Sequence, residues 1–162
     1  IKSQHRLFTK QPTIRVFEGI EGLRDLYRET LRDGQPVYAL VSADEPDLEM
    51  VRWLRGTYAK ERVASGIRVF GIFSDSALAR SVVAAPGELR EARIIDGEKY
   101  PFKGEVDAFG GKIAFISYKS DERIGVLLES PSVAETVRSV VRALFDLLPQ
   151  DSSSSGSRSK AT

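Results

Sequence analysis

Apolar residues follow two spacings along this chain, and the spacing changes several times between its ends. Short runs that alternate or are wholly apolar predict β-strands, and apolar positions three or four residues apart predict helices. The predicted strands are residues 13–18, 37–43, 67–73, 93–95, 105–109, 112–118 and 123–129. The predicted helices are residues 21–32, 48–65, 75–84 and 131–148. Strands and helices alternate in the first half, which is typical of an α/β domain.

The segment between residues 37 and 73 predicts a pair of parallel strands. Its two strand runs, VYALVSA and IRVFGIF, are almost entirely apolar, as are strands that lie covered on both faces of a sheet. A strand–helix–strand order of this kind places its two strands side by side and parallel.

Residues 103–129 predict an antiparallel meander of three strands. Gly110 and Gly111 form a two-residue turn between the first two strands, since glycine tolerates the positive φ angles that tight hairpins require. A polar turn, KSDE, separates the second strand from the third. The final helix follows at once, with Ser130 as its expected N-cap and Pro131 at its first position.

These elements predict an α/β fold with a mixed sheet, helices on both faces, a C-terminal antiparallel meander and a final helix. The expected domain spans residues 12–149. We expect residues 1–11 to form a linker or the end of an upstream region, and the serine-rich residues 150–162 to form a disordered tail. Four phenylalanines on the predicted strands are expected in the core and not on a base-stacking surface: Phe70, Phe73, Phe109 and Phe115.

Composition excludes several kinds of site. The 162 residues carry 24 basic and 23 acidic side chains, and a net charge of +1 gives no broad footprint for nucleic acid or an anionic membrane. No cysteine is present and His5 is the one histidine, so we expect no zinc site, cysteine nucleophile or Ser–His–Asp triad. The sequence has no glycine-rich phosphate loop and no membrane-spanning run. We expect a cytoplasmic protein that uses no cofactor.

Charged residues near the meander leave two alternatives open. Glu105, Asp107 and Glu129 could carry acid–base chemistry, although solvated charges on strand faces are the more common arrangement. The cations of residues 88–99 and Lys103 could bind an anionic ligand such as a phosphate or a sugar acid. These cations are interleaved with acidic residues, so a solvated face of mixed charge is the favoured interpretation.

The whole pattern resembles the C-terminal effector domain of the TrmB-like family of archaeal and bacterial transcription regulators. The resemblance spans residues 12–148, and IRVFEGIEGL within PTIRVFEGIEGLRDLYRETL is its most specific part. VYALVSA, KERVASGIRVFGIFSD, ELREARII and the block of residues 100–148 continue it. In that family a winged helix-turn-helix precedes this domain and binds DNA. The resemblance implies that DNA is bound only through such an N-terminal domain, which we expect to lie outside this chain.

The domain also looks like half of the phospholipase D fold. In that fold the catalytic motif is His-x-Lys followed after four residues by Asp, on a strand that leads into a hairpin. Placed on the hairpin here, the motif puts Lys103 at the histidine, Glu105 at the lysine and Gly110 at the aspartate. The resemblance therefore implies a fold without its nucleophile and without enzymatic activity, whose cleft at the strand ends binds a ligand or a partner.

We therefore expect a non-catalytic domain that senses a ligand, forms a dimer, or does both. The expected partners are a second copy of the chain and a small-molecule effector, either a sugar or an anionic metabolite. Two alternatives stay open: a phosphodiesterase-like hydrolase with a degenerate site that uses Glu105 or Glu129, and a protein-interaction module that docks through the last helix. The candidate ligand-binding residues are Ser42, Ser74, Lys103, Glu105, Ser117 and Glu129.

Overall fold

The structure, a computed structural model, describes residues 11–85 and 88–150. Its strands are β1 (Thr13–Glu18), β2 (Val37–Val41), β3 (Val69–Ser74), β4 (Arg90–Ile95), β5 (Glu105–Phe109), β6 (Lys112–Ser117) and β7 (Ile124–Glu129). Its helices are α1 (Gly19–Asp33), α2 (Leu48–Trp53), α3 (Ala59–Ala64), α4 (Ala77–Ala84) and α5 (Pro131–Leu147). A π-helical turn, Leu54–Tyr58, joins α2 to α3. His5, nearly all of the expected linker and nearly all of the expected tail lie outside the described residues.

The seven strands of the described ranges form one mixed sheet in the order β1–β7–β6–β5–β2–β3–β4. β2, β3 and β4 are parallel neighbours. β2 pairs antiparallel with β5, and β5, β6 and β7 continue as an antiparallel meander. β1 crosses to the far edge and pairs antiparallel with β7. The predicted fold class, the parallel strand pair and the meander are confirmed.

Side chains alternate along each strand and so divide the sheet into two faces, both covered by helices. On the α1 face, α1 and the α2–α3 segment pack on β2, β5, β6 and β7 around Leu23, Leu26 and Phe109. On the α5 face, α5 packs on β2, β3, β5 and β6 and buries Val141 and Phe145. The hydrophobic core is therefore split between two layers, one on each side of the sheet.

Helix boundaries follow the local sequence. Gly34 ends α1 at φ 71°, in the left-handed region, and its N–H bonds back to a carbonyl of the last turn. The Asp47 carboxylate begins α2 by accepting the Met50 N–H at 2.8 Å. Ser130 and Pro131 hold the predicted N-cap and first position of α5, but the Ser130 side chain makes no capping hydrogen bond within the described residues.

Gly125 of β7 allows α1 to lie close against the sheet. A Cβ at this position would overlap Leu26 Cδ2 and would lie 3.2 Å from Leu23 Cδ2. Both leucines belong to the larger core cluster and are almost completely buried. The missing side chain therefore fixes the distance between α1 and the meander.

One part of the α5 face has no helix over it within the described ranges. Ile14 and Val16 of β1 are 67% and 56% exposed, and Phe115 of β6 is 45% exposed. The prediction that Phe115 lies in the core is therefore wrong, because its side chain extends past α5 toward β7 and β1. We call Ile14, Val16 and Phe115 the open sheet face.

Two elements differ most from the sequence prediction. β4 begins at Arg90 and not at residue 93, since Arg90 and Glu91 pair with β3 even though both are charged. The helix predicted for residues 48–65 contains the π-helical turn in its middle. Among the described helices, none has both the length and the apolar content that crossing a bilayer would require.

Candidate functional site

β5 turns two carboxyl groups toward the protein interior. Glu105 and Asp107 are two residues apart, so both point to the α1 face, as Phe109 does. Asp107 is only 2% exposed and Glu105 is partly buried. The interpretation of these residues as solvated strand-face charges is therefore wrong. Their strand lies in the centre of the sheet, and α1 and the α2–α3 segment cover it.

Two tyrosines hold the Glu105 carboxylate. The hydroxyls of Tyr27, on α1, and Tyr118, just after β6, each donate to Glu105 Oε2 at 2.8 Å, and the two hydroxyls also contact each other. Tyr58 lies beside them, with its ring centroid 5.0 Å from that of Tyr27 and its hydroxyl 2.8 Å from Thr30 Oγ1. Two elements that are distant in the sequence thus bring phenol groups to one carboxylate, and Tyr58 packs against the ring of one of them.

Burial sets the protonation of the pair. Loss of solvation raises the pKa of Asp107 well above its ordinary value, and the neighbouring charge of Glu105 and a hydrogen bond to it add to this effect. Loss of solvation also raises the pKa of Glu105, while hydrogen bonds from Tyr27, Tyr118 and Asp107 oppose the rise. Of the two carboxyls, Asp107 therefore has the stronger tendency to keep its proton.

Within the described residues, neither Glu105 nor Asp107 forms an ion pair. Every ion pair that the structure contains there involves other acidic residues. Buried charges in proteins are ordinarily paired with an opposite charge or bound to a metal. The charge on this pair is stabilised by phenol hydrogen bonds instead.

A cavity of about 150 Å³ adjoins the carboxyl pair on the α1 face. Its floor is β2, β3 and β5, and its roof is the α2–α3 segment with α4. Asp107 Oδ1 is buried and has no hydrogen-bond partner among the described residues. The apolar lining side chains include Val37, Val41, Val51, Leu54, Val69, Phe73, Leu78 and Val82. The cavity is thus an apolar chamber with an unsatisfied acceptor at one wall.

The π-helical turn contributes part of the chamber wall. Leu54, Arg55 and Tyr58 belong to this turn and line the cavity. π-helical turns are rare and are found frequently at functional sites. Here the turn brings Tyr58 onto the sheet side, where it is buried, while Arg55 stays exposed at the edge of the chamber. The local irregularity of the helix is therefore part of the site.

Two arginines lie at the other end of the chamber. Arg62 is 3% exposed and donates to the carbonyls of Ile67 and Glu88, both at 2.6 Å. Arg90 donates to the Val82 carbonyl at 2.8 Å and pairs with the Glu88 carboxylate at 2.8 Å. Burial lowers the pKa of both guanidinium groups. They join α3, α4 and the start of β4 and so close this end of the chamber.

Most of the sequence-predicted ligand residues lie at one end of the strands, where β2 and β3 finish and β5 begins. Because β5 runs antiparallel to β2, Glu105 lies opposite Val41, and Ser42 is the next residue along. The other residues at this end are Ser74, Lys103 and Ser117. Glu129 does not join them. It lies at the other end of the strands, where Arg15 donates a hydrogen bond to it at 3.1 Å.

Only Glu105 among these residues lines the chamber. Lys103 is exposed and its Nζ lies 3.2 Å from Glu45. Ser117 donates to Glu122 at 3.3 Å. Gly110, the third position of the expected motif, lies in the turn at the far end of β5. The three motif positions are therefore spread along the whole strand.

Sequence reasoning missed Tyr27, Tyr58 and Tyr118 as site residues and the burial of Asp107. The sequence did contain one signal of this burial. Every second residue of a strand faces the same side of the sheet, so Glu105 and Asp107 share a face with Phe109, which is a core residue. The chain offers no cluster of three or more metal-binding side chains in the part that the structure describes. The site is therefore a carboxyl–phenol cluster beside an apolar chamber.

Solved structures share this architecture. Nuc, a phospholipase D family member from Salmonella typhimurium, matches with a TM-score of 0.60 and 12% sequence identity, covering 86% of this chain and 97% of that chain. The chain has a phospholipase D-like fold. NucT from Helicobacter pylori matches with a TM-score of 0.58 and 9% identity, covering 86% of this chain and 99% of that chain.

The phospholipase D-like fold is also similar to part of TrmBL2, an archaeal chromatin protein described as showing a novel mode of DNA binding. That match has a TM-score of 0.57 and 12% identity, and it covers 93% of this chain and 57% of the TrmBL2 chain. No protein-family model and no curated protein sequence matches the chain. Because the identities are so low, these likenesses show the shared fold alone.

Proposed function

We propose that this chain is a non-catalytic, ligand-sensing and dimerisation domain of a TrmB-like transcription regulator, in which a winged-helix domain outside this chain binds DNA. The chamber beside Asp107 carries the proposal, because a buried acceptor without a partner among the described residues belongs to the wall of a partly open, mainly apolar cavity. Ligand pockets combine apolar walls with a few polar groups of this kind. The likeness to part of TrmBL2 supports the class of protein.

Sensing requires that the ligand bind one arrangement of the protein better than another. The chamber wall is built from β2, β3, β5, the α2–α3 segment and α4. A ligand would therefore contact both the parallel and the antiparallel part of the sheet. Such a ligand can bias the position of the helical roof relative to the sheet, and the roof is the part of the site that contains the π-helical turn.

The dimer is proposed to form through the open sheet face. Ile14 and Val16 of β1 and Phe115 of β6 present apolar side chains to solvent on the two strands that flank β7. Clustered exposed apolar side chains are typical of interaction surfaces. β1 is also an edge strand, and its free backbone groups can pair with a second copy of the chain.

The first experiment combines a ligand screen with a mass measurement. Purified protein is screened for thermal shift against a panel of amines, sugars, nucleotides and anionic metabolites, and its molar mass is measured by size-exclusion chromatography with light scattering. We expect a stabilising ligand and a dimeric mass. A monomer whose melting temperature is unchanged by every class of compound would contradict the proposal.

A charge substitution distinguishes the two exposed apolar surfaces. Val16→Lys on the open sheet face should shift the mass toward the monomer, because it buries a charge in the proposed interface. Val140→Lys on α5 is the matched control, since Val140 is 64% exposed. If only Val140→Lys dissociates the dimer, α5 is the interface. That result would favour the alternative of a protein-interaction module that docks through the last helix.

The competing enzymatic hypothesis is a phosphodiesterase-like hydrolase that uses Glu105 or Glu129. Glu105 is held by two tyrosines, and Glu129 is paired with Arg15 at the other end of the strands, so the two carboxylates do not face one cleft. Phosphodiesterase activity that is lost in Glu105→Gln would overturn the non-catalytic proposal. We expect no such activity in the unmodified chain.

A further inference from the structure

We propose that the chamber binds a small organic cation, such as a primary amine with an apolar body, whose cationic head lies on the Glu105–Asp107 pair. This inference rests on the proposed ligand-sensing function and names the chemical class of the ligand. It replaces the expected sugar or anionic metabolite. Three features carry it: the charge of the carboxyl pair, the free acceptor of Asp107, and the size and lining of the chamber.

The charge of the pair favours a cation. Within the described residues, no cationic side chain is paired with Glu105 or with Asp107. An ionised carboxylate that is removed from water without an opposite charge is costly. A bound ammonium group would supply that charge. A bound anion would be repelled by it.

The free acceptor fixes where the cationic head lies. Glu105 Oε2 already accepts the hydroxyls of Tyr27 and Tyr118. Asp107 lines the chamber, and its Oδ1 is buried and has no partner in the described part of the chain. An ammonium group has three N–H donors and no acceptor, so it can satisfy this oxygen without introducing a second acceptor.

The chamber limits the rest of the ligand. A cavity of about 150 Å³ is known to hold a benzene-sized molecule, so the body has roughly six to ten non-hydrogen atoms. The walls beside it are valine, leucine and phenylalanine side chains such as Val41, Leu54 and Phe73. The hydroxyls of a sugar would be left without partners against these walls, which carries a desolvation cost for each group.

Binding should also release a proton. Burial and the neighbouring Glu105 raise the pKa of Asp107 well above its ordinary value in the free protein. The positive charge of a bound ammonium lowers that pKa, which favours breaking the Asp107 O–H bond, with the proton passing to the buffer. Proton release is a property of this arrangement that simple apolar binding would not produce.

The test compares three probes that share a ring and differ in charge: benzylamine, benzyl alcohol and benzoate. Each is measured by thermal shift and by titration calorimetry in two buffers with different ionisation enthalpies. We expect benzylamine at a hundredfold excess over its Kd to raise the melting temperature by roughly 5–10 °C. The alcohol should bind at least tenfold more weakly and benzoate should not bind, and benzylamine binding should release a proton into both buffers.

Variants assign the binding to this site. Asp107→Asn keeps the side-chain size but should weaken benzylamine roughly tenfold to a hundredfold and abolish proton release. Val82→Phe leaves the carboxyl pair intact and fills the chamber, so it should abolish binding of benzylamine and benzyl alcohol. Glu135→Gln makes the same carboxyl-to-amide replacement on the exposed surface of α5 and should leave benzylamine binding unchanged.

The outcomes separate this inference from the proposed function. If a sugar or an anion from the panel stabilises the protein while no amine does, the ligand class is wrong and sensing stands. Benzylamine binding that persists in Val82→Phe, or benzyl alcohol that binds as tightly as benzylamine, also overturns the inference. If Asp107→Asn does not fold, two measurements still test the inference: probe binding to Val82→Phe, and the proton release on benzylamine binding to the unmodified chain. If no compound of any class binds, the proposed function itself fails.

Discussion

Asp107 lies two residues after Glu105 on β5, and the side chains of both residues point into the same buried layer between the sheet and α1. Desolvation raises the pKa of both carboxyls, and that of Asp107 the more strongly. Folding therefore favours proton uptake by the pair above the unfolded pKa of aspartate, about 3.9. The stability of the protein must then depend on pH in a defined direction.

Replacing Asp107 should flatten this dependence. A carboxyl with a raised folded-state pKa contributes stability that is fully present below its unfolded pKa, about 3.9 for Asp. That contribution is lost as the pH rises through the folded-state pKa. The free energy of unfolding of the unmodified chain should therefore fall with rising pH by up to about 1.4 kcal/mol per pH unit more than that of Asp107→Asn. Urea denaturation across the neutral range measures both slopes.

Glu135→Gln is the control for that series, since Glu135 is exposed on α5. Its slope should match that of the unmodified chain. Parallel slopes for the unmodified chain and Asp107→Asn would mean that the carboxyl pair holds no extra proton. Such a result would also remove the expected proton release on amine binding.

The buried tyrosines should make the protein labile in alkali. Desolvation and the nearby Glu105 charge raise the pKa of Tyr27 and Tyr118 well above 10, and desolvation with the charge of Asp107 does so for Tyr58. Their stabilisation is present below the unfolded pKa of about 10 and is lost as the pH rises through the folded-state values. We expect tyrosinate absorbance from these three residues to appear together with loss of the circular dichroism signal.

Single tyrosine replacements test this assignment. Tyr58→Phe should make the alkaline fall in stability shallower by about 1.4 kcal/mol per pH unit, since one proton fewer is released on unfolding. Tyr100 is 50% exposed, so Tyr100→Phe serves as the surface comparison. Absorbance that rises fully while the fold remains intact would show that the three phenols are not shielded.

The ion-pair cluster at Glu29 should stabilise the packing of β1 against α1. Arg15 donates to both Glu29 oxygens, at 3.1 and 2.9 Å, and Arg32 donates to Oε1 at 2.5 Å. The hydrogen bond from Arg15 is the largest cause of the lowered pKa of Glu29. Glu29 is almost completely buried. We expect Glu29→Gln to reduce the free energy of unfolding by about 1–3 kcal/mol, because it leaves these cations with a weaker partner.

The pH dependence of this cluster has the opposite sign to that of Asp107. A lowered folded-state pKa gives stability that is present above the unfolded pKa, about 4.3 for Glu, and is lost as the pH falls through the folded value. The difference between the unmodified chain and Glu29→Gln should therefore shrink in acid. Asp25→Asn breaks an exposed pair with Arg28 and should change stability by less than about 1 kcal/mol. An equal loss in both variants would mean that burial of Glu29 adds nothing.

Two glycine substitutions should have opposite signs. Gly125→Ala places a Cβ against the buried Leu26 and Leu23 and should destabilise the fold by about 1–3 kcal/mol through overpacking. Gly56→Ala, in the π-helical turn, places a Cβ where no atom lies within 4 Å. It should stabilise by roughly 0.5–1 kcal/mol, because alanine loses less backbone entropy in a helix. Thermal denaturation of the pair checks both signs, and a stabilised Gly125→Ala would contradict the close packing of α1.

Local signals in the sequence were enough to predict most elements of the fold. Gly110 and Gly111 form the hairpin turn, Gly34 ends α1 in the left-handed conformation, and Pro131 begins α5. Each of these residues acts on its immediate neighbours, so its effect can be read without knowing the tertiary structure. The parallel pairing of β2 with β3 follows equally from the helix between them.

The site could not be predicted in the same way. Tyr27 and Tyr118 meet at Glu105, and Tyr58 packs on Tyr27, only because separate elements pack on one strand, and no local spacing encodes that meeting. The burial of Asp107 was predictable in principle, because Asp107 and Phe109 are two residues apart on one strand and so share a face. The charge of Asp107, however, indicated an exposed position. The prediction for Phe115 was wrong for the opposite reason. Its apolar side chain indicated the core, but α5 leaves it partly exposed.

The pairing of β1 with β7 has a consequence for biosynthesis. Thr13 lies opposite Glu129, so β1 finds its sheet neighbour only after β7, more than a hundred residues later in the chain, has been made. Closing so long a loop is slow, and an unpaired apolar strand is prone to aggregate during that interval. Ile14 and Val16 therefore lack their sheet neighbour during most of the synthesis of this domain, and among its strands β1 would have the longest contact with a chaperone that shields nascent chains.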